Sequence, residues 1–179
     1  LRAGGSTGFR APGLGQIHFS KVVTNFIGGV AEDIGVFPVD HPAARALASK
    51  PLKEESAANL SAGLAWSPLE NVTLTAVVFR IKFKDRIILG ATFDDDTTRA
   101  ILASAGFADI AGVQYFTNGL DTKTQGIDLT ADWNVAAGRG RTVGISGSVN
   151  YTKSEITRVD PLPTVLQNSP GFISSFHLS

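Results

Sequence analysis

The chain has 179 residues, with 16 lysines and arginines balanced by 16 aspartates and glutamates, and no cysteine. Zero net charge gives no basic footprint for nucleic acid and no acidic tail, and the missing thiols exclude a disulfide framework and thiolate metal sites, in keeping with an oxidising compartment such as a bacterial envelope. Hydrophobic residues make up 43%, yet no run approaches the roughly 20 apolar residues of a spanning helix, so any membrane would be met with strands.

Methionine is absent, position 1 included, and no basic, apolar, small-residue leader opens the sequence. The chain is therefore expected to be an internal piece of a longer protein. Leu1 to Phe9 already alternate like a strand, with Leu1, Ala3, Gly5, Thr7 and Phe9 opposite Arg2, Gly4, Ser6 and Gly8. Residues 11 to 55 read as a long loop with four prolines and one short helix, Ala43 to Ser49. Asn59 to Trp66 alternate again, with Leu60, Ala62, Leu64 and Trp66 on one side.

A short turn, Ser67 to Asn71, leads into a long strand, Val72 to Ile88. Its apolar face is Val77, Phe79, Ile81 and Phe83, and its other face carries Ala76, Val78, Arg80, Lys82 and Lys84. A second long loop, Gly90 to Lys123, holds a helix from Thr98 to Ala105, capped by Asp96 and Thr97 and closed by Gly106. Thr124 to Trp133 sort by parity into Ile127, Leu129, Ala131 and Trp133 against Gly126, Asp128, Thr130 and Asp132. A second short turn, Asn134 to Gly140, precedes Thr142 to Thr152, where Val143, Ile145, Gly147, Val149 and Tyr151 share a face. Glu155 to Ser179, with Pro161, Pro163 and Pro170, reads as a third long loop.

Long and short connections thus alternate strictly. A soluble sandwich has no physical reason to gather its long loops at one end, whereas an outer-membrane barrel pairs short periplasmic turns with long extracellular loops. The expected class is all-β: about five antiparallel strands of a transmembrane barrel, too few to close one, since the smallest need about eight. Trp66 and Trp133 both end an apolar face just before a short turn. They suit the periplasmic lipid interface, and Tyr151, near the far end of its strand, suits the opposite aromatic belt. A porin without a plug, and a soluble β-sandwich for adhesion or glycan binding, are the alternatives. Burial of Ile127, Leu129 and Trp133 against a second sheet would identify the sandwich.

Four segments, in order, resemble the TonB-dependent outer-membrane receptors: GFRAP at Gly8 to Pro12, LKEESAANLSAGLAW at Leu52 to Trp66, VFRIKFKDRI at Val78 to Ile87, and FTNGLDTKTQGIDLTADW at Phe116 to Trp133. Glu54 stands where that family usually has proline. The resemblance implies a barrel of about 22 strands around an N-terminal plug, in the outer membrane of a Gram-negative bacterium. It also implies import of iron-siderophore complexes, cobalamin or glycans, driven by the TonB complex of the inner membrane. Residues 1 to 179 would be one partial barrel domain, with the plug, the TonB-binding segment and the terminal strand outside it. Its partners would be outer-membrane lipid, the plug, TonB through the missing N-terminal region, and a small-molecule substrate at the loops.

Nothing organises an active site. Ser, His and Asp are present without a Gly-x-Ser-x-Gly elbow or comparable frame, and the expectation is a nonenzymatic protein without a cofactor. Asp94, Asp95 and Asp96 lack the glycine and later glutamate of a calcium loop, and read as a solvated loop and helix cap. His18, His41 and His177, one in each long loop, lack paired ligand spacing. On the polar sides of their strands, Arg80, Lys82 and Lys84 are expected to meet Asp128 and Asp132 across neighbouring strands, all five lining the lumen.

Overall fold

The computed structural model describes residues 1–27, 30–138, 140–161, 163 and 165. In chain order the elements are β1 (Arg2–Arg10), α1 (Leu14–His18), β2 (Lys21–Ile27), β3 (Val30–Val36), α2 (Pro42–Ala46), β4 (Glu55–Leu69), β5 (Val72–Leu89), α3 (Asp96–Ser104), β6 (Gly112–Gln114), β7 (Phe116–Ala136) and β8 (Thr142–Val159). They fall into two compact units. Of the described residues, one comprises those within 1–9, 56–84 and 121–158, the other those within 10–55, 85–120 and 159–165.

The first unit is a five-stranded sheet in the order β1-β4-β5-β7-β8. It is open, with β1 and β8 as edges. β4 and β5 pair antiparallel from Ser56↔Lys84 to Trp66↔Leu74, then shift register before Leu69↔Val72. The shift leaves an extra residue on β4, and Pro68 sits within it. A proline has no ladder donor and is tolerated inside a sheet at such a bulge. The hairpin closes through Glu70 and Asn71, and this turn is tied to β7 by Asn134 N donating to Asn71 O at 2.8 Å.

The second unit has a sheet of its own, β2-β3-β6, in which β2 and β3 are antiparallel and β3 and β6 parallel. Against it pack α2 and α3 around a core of Phe37, Ala43, Ala44, Leu47, Phe93, Leu102, Val113 and Tyr115. The helix α3 buries Thr98 and Leu102, four residues apart on one face. It begins at Asp95, whose extended backbone lets its carboxylate accept from Thr98 N at 2.6 Å. The cap is therefore Asp95 and not Asp96 or Thr97, because only from that position does the side chain reach the third helical N–H. Asp96 lies in the first turn, where a negative charge suits the helix dipole. Gly106, at φ +89°, ends it as expected.

Three other expectations need correction. The segment 11–55 is not a structureless loop: it holds the β2-β3 hairpin and two short helices. The second of these starts at Pro42 and stops at Ala46, and Ala48 already has φ 59°. The polar residues from Phe116 to Lys123 belong to the 21-residue strand β7. β8 continues to Val159, where a loop had been expected from Glu155.

Candidate functional site

In the five-stranded sheet, side chains alternate faces, and residues directly opposite one another in an antiparallel pair share a face. The β4/β5 register sets Leu60, Ala62, Leu64 and Trp66 opposite Arg80, Val78, Ala76 and Leu74. Leu64, Trp66, Leu74, Leu129 and Val149 together line an apolar depression of about 650 Å³, which carries the same face across β7 and β8. Leu129 and Trp133 are 44% and 47% exposed, and Leu60 is 70% exposed. Such exposure departs from the burial that the sandwich alternative requires of Leu129 and Trp133.

The opposite face is built differently. The Phe79 ring lies over Gly126, so close that a Cβ there would sit 2.6 Å from the ring. Arg2 similarly covers Gly63 beside Val77. On the same side Asp132 Oδ1 accepts from Ser146 Oγ at 2.5 Å, Asp128 accepts from Asn150, and Thr124 meets Ser154 at 2.9 Å. These pairs step by four down one strand and by four up the other, the progression of an unbroken antiparallel ladder.

The expected meeting of Arg80, Lys82 and Lys84 with Asp128 and Asp132 therefore does not occur. Phe79 shares the face of Gly126 and Asp128, so Arg80 and its row point the other way, alongside Leu60. Among the described residues these three cations form no ion pair, and the aspartates are held by hydroxyl and amide donors instead. Parity within each strand was readable. Which face of β5 matched which face of β7 depended on register.

In the second unit, two side chains draw together the four segments that carry the family resemblance. Glu55, 9% exposed, accepts from Arg10 Nε at 2.9 Å and Nη2 at 2.7 Å, and from Ile87 N at 2.7 Å. Its Arg10 hydrogen bond holds the carboxyl below the usual carboxylate range, against the opposing effect of burial, and the Ile87 N–H adds to the lowering. Asn118 accepts from Lys53 N at 2.8 Å and donates to Lys53 O at 3.0 Å and to Asp85 O at 2.7 Å. Asp85 has φ 56°, a backbone conformation costly for a residue other than glycine. Neither cluster was identified from sequence. The signal was available in the motifs themselves, since Arg10, Glu55, Asp85 and Asn118 each sit in one of them.

The same unit holds a polar cleft of about 500 Å³ lined by Thr24, Glu32, Asp33, Arg99 and the stretch Ala108 to Ala111. Arg99 Nη2 bonds both Glu32 oxygens at 2.9 Å, and Asp33 accepts from Thr24 Oγ1 at 2.6 Å. Of the candidate metal residues, His41 caps α2 through Nδ1 and stacks on Phe37 with centroids 4.1 Å apart. His18 lies in the last turn of α1, and His177 falls outside the described residues. Among the described residues no three His, Asp or Glu side chains gather where they could hold a metal. Tyr115 donates to Leu47 O at 3.2 Å, and burial pushes its hydroxyl up to about 12.

Among curated proteins none matches the chain significantly. The family model "TonB dependent receptor-like, beta-barrel" matches residues 1–176, which takes in the open sheet, both motif clusters and the loop unit. This is a family of outer-membrane receptors of Gram-negative bacteria, receptor or transporter and not typically enzymatic. With the match extending over nearly the whole sequence, the chain belongs to the TonB-dependent receptor-like β-barrel family.

Proposed function

We propose that this chain supplies barrel wall and substrate-facing loops to a receptor for TonB-energised uptake of a scarce nutrient, of the iron-siderophore, cobalamin or glycan class. The observation that supports this most is the placement of apolar side chains. Every buried hydrophobic residue among those described lies in the loop unit, while the sheet presents Leu60, Leu64, Trp66, Leu129, Val149 and Tyr151 outward. A sheet with an apolar face and no core of its own needs a nonaqueous surrounding.

In this reading Trp66 and Trp133 stand at the periplasmic lipid interface and Tyr151 at the outer one. Asp128 and Asp132, with Ser146 and Asn150, face the lumen and the plug. The polar cleft around Arg99 and Asp33 contributes to substrate contact on the extracellular side, and TonB engages a region N-terminal to the plug. The role is uptake without chemistry on the cargo. The test is growth and uptake of labelled ferric chelate, cobalamin or oligosaccharide by a deletion strain complemented with the full-length gene. Expected is loss of one cargo class on deletion, with the same loss when TonB is removed. Uptake that survives loss of TonB would overturn the energised reading in favour of a porin.

A further inference from the structure

The register that moves Arg80, Lys82 and Lys84 away from Asp128 gives them another role. Along β5 the row facing the Trp66 side reads Leu74, Ala76, Val78, then Arg80, Lys82, Lys84. It is apolar toward the short turn and basic beyond it. From Val72 to Arg80 the strand climbs roughly 26 Å at about 3.3 Å per residue. At a barrel tilt of about 40° that is roughly 20 Å of height, close to the top of an apolar band about 25 Å tall. Cations are strongly disfavoured at mid-bilayer and tolerated near its interface, so this row marks where hydrocarbon ends.

Neighbouring strands place charge at the same level. Phe79 over Gly126 and Asn71 bonded to Asn134 lie on one antiparallel register, which sets Lys123 of β7 beside Lys82. On β8, Lys153 follows Tyr151 on the same face. Glu155 bridges these two lysines, at 3.2 Å from Lys123 Nζ and 2.6 Å from Lys153 Nζ. The next acid along β7, Asp121, is held by Arg158 Nε at 2.9 Å. Lys123 and Lys153 thus share Glu155, while Arg80, Lys82 and Lys84 are exposed and form no ion pair among the described residues.

We propose that Arg80, Lys82 and Lys84, with Lys123 and Lys153, bind the phosphate groups of an anionic lipid at the outer edge of the apolar band. The inference rests on the reading that the Trp66 face meets lipid. The basic row is continuous with the apolar rows beneath it, so its occupant needs hydrocarbon against Val78 and Ile127 and anionic phosphate against the cations above. A phosphorylated amphiphile meets both requirements. Arginine and lysine supply the charge-assisted donors that phosphate oxygens accept.

The test uses the full-length receptor in detergent, titrated with fluorescent bis-phosphorylated lipid A and with its dephosphorylated form. Near an anionic lipid surface each basic residue contributes about fivefold in affinity. The triple variant Arg80→Gln/Lys82→Gln/Lys84→Gln is expected to bind lipid A at least about tenfold more weakly and to be unchanged toward the dephosphorylated form. Equal binding of lipid A by variant and wild type, or equal loss toward both lipids, overturns the proposal. A separate Leu129→Cys variant carrying a fluorophore reports on the underlying reading. Quenching by lipid-borne nitroxide is expected, and its absence would overturn the lipid-facing assignment itself. Quenching together with unchanged lipid A affinity would overturn only the phosphate site.

Discussion

Glu55 shows how much one side chain can be asked to hold. Its carboxylate neutralises Arg10 and also accepts the buried Ile87 N–H, so removing it exposes two different costs. In Glu55→Ala the Ile87 donor loses its partner, which is expected to destabilise the loop unit by about 1–3 kcal/mol, measured by denaturant unfolding in detergent. Because Arg10 and the Ile87 N–H hold the folded carboxyl below its unfolded value, the carboxylate stabilises the fold above about pH 4, the ordinary carboxylate range. That contribution is lost as pH falls through the depressed folded value. The unfolding midpoint of wild type should drop over this acid window, and Glu55→Gln should flatten the drop. A second residue, Thr98, is fully buried with its hydroxyl unpartnered among the described residues. Thr98→Val keeps the shape and removes that cost, and is expected to raise stability by about 1 kcal/mol in the same assay. Arg10 and Glu55 were both legible as motif residues. Their contact was not, because 45 positions separate them and nothing in strand periodicity measures such a distance.

Among the elements, β7 was the most readable and also the most misjudged. Its alternation from Ile127 to Trp133 gave the two faces correctly, since period two is written into the strand itself. Its start was missed because Asn118, Gly119 and Asp121 look like loop composition, although tertiary pairing holds them in strand. The β2-β3 hairpin was missed for a related reason: Gly28-Gly29 between two seven-residue runs is a hairpin signal, but polar Asn25, Glu32 and Asp33 hide the alternation. The faces of β7 yield a direct comparison. Leu129→Lys puts a charge on the exposed apolar face and is expected to cost about 2–4 kcal/mol near mid-bilayer. Asp128→Lys changes charge on the hydrogen-bonded face and should reduce assembly less. Heat-modifiable gel mobility of outer-membrane fractions measures both yields, and equal or reversed yields would contradict the assignment of faces.

For the whole chain, the two units differ in what keeps them folded. The loop unit has an ordinary core, in which Leu47, Leu102 and Val113 are fully buried. The sheet has hydrogen-bonded strands, apolar side chains in the open, and two unpaired edges at β1 and β8. Hydrogen exchange of the full-length receptor in detergent should show slow amides in both units. After transfer to lipid-free buffer, the amides of Leu102 and Val113 should stay slow, while those of Leu60 and Leu129 should exchange far faster or be lost to aggregation. Uniform protection in both conditions would mean that the sheet does not depend on lipid. The alternation of long and short connections made the barrel class legible. The separate core of the loop unit was not, because its residues come from two stretches of sequence that neither periodicity nor composition joins.

The Asn118 amide makes three hydrogen bonds to main-chain atoms, two on Lys53 and one on Asp85. Main-chain partners are the same whatever side chain occupies those positions. Natural variation can therefore rewrite position 53 while the fastening stays intact, whereas the positive φ at position 85 narrows the choice there to glycine, asparagine or aspartate. A fastening of this kind lets the sequence around it change while the backbone path of the loop unit is kept.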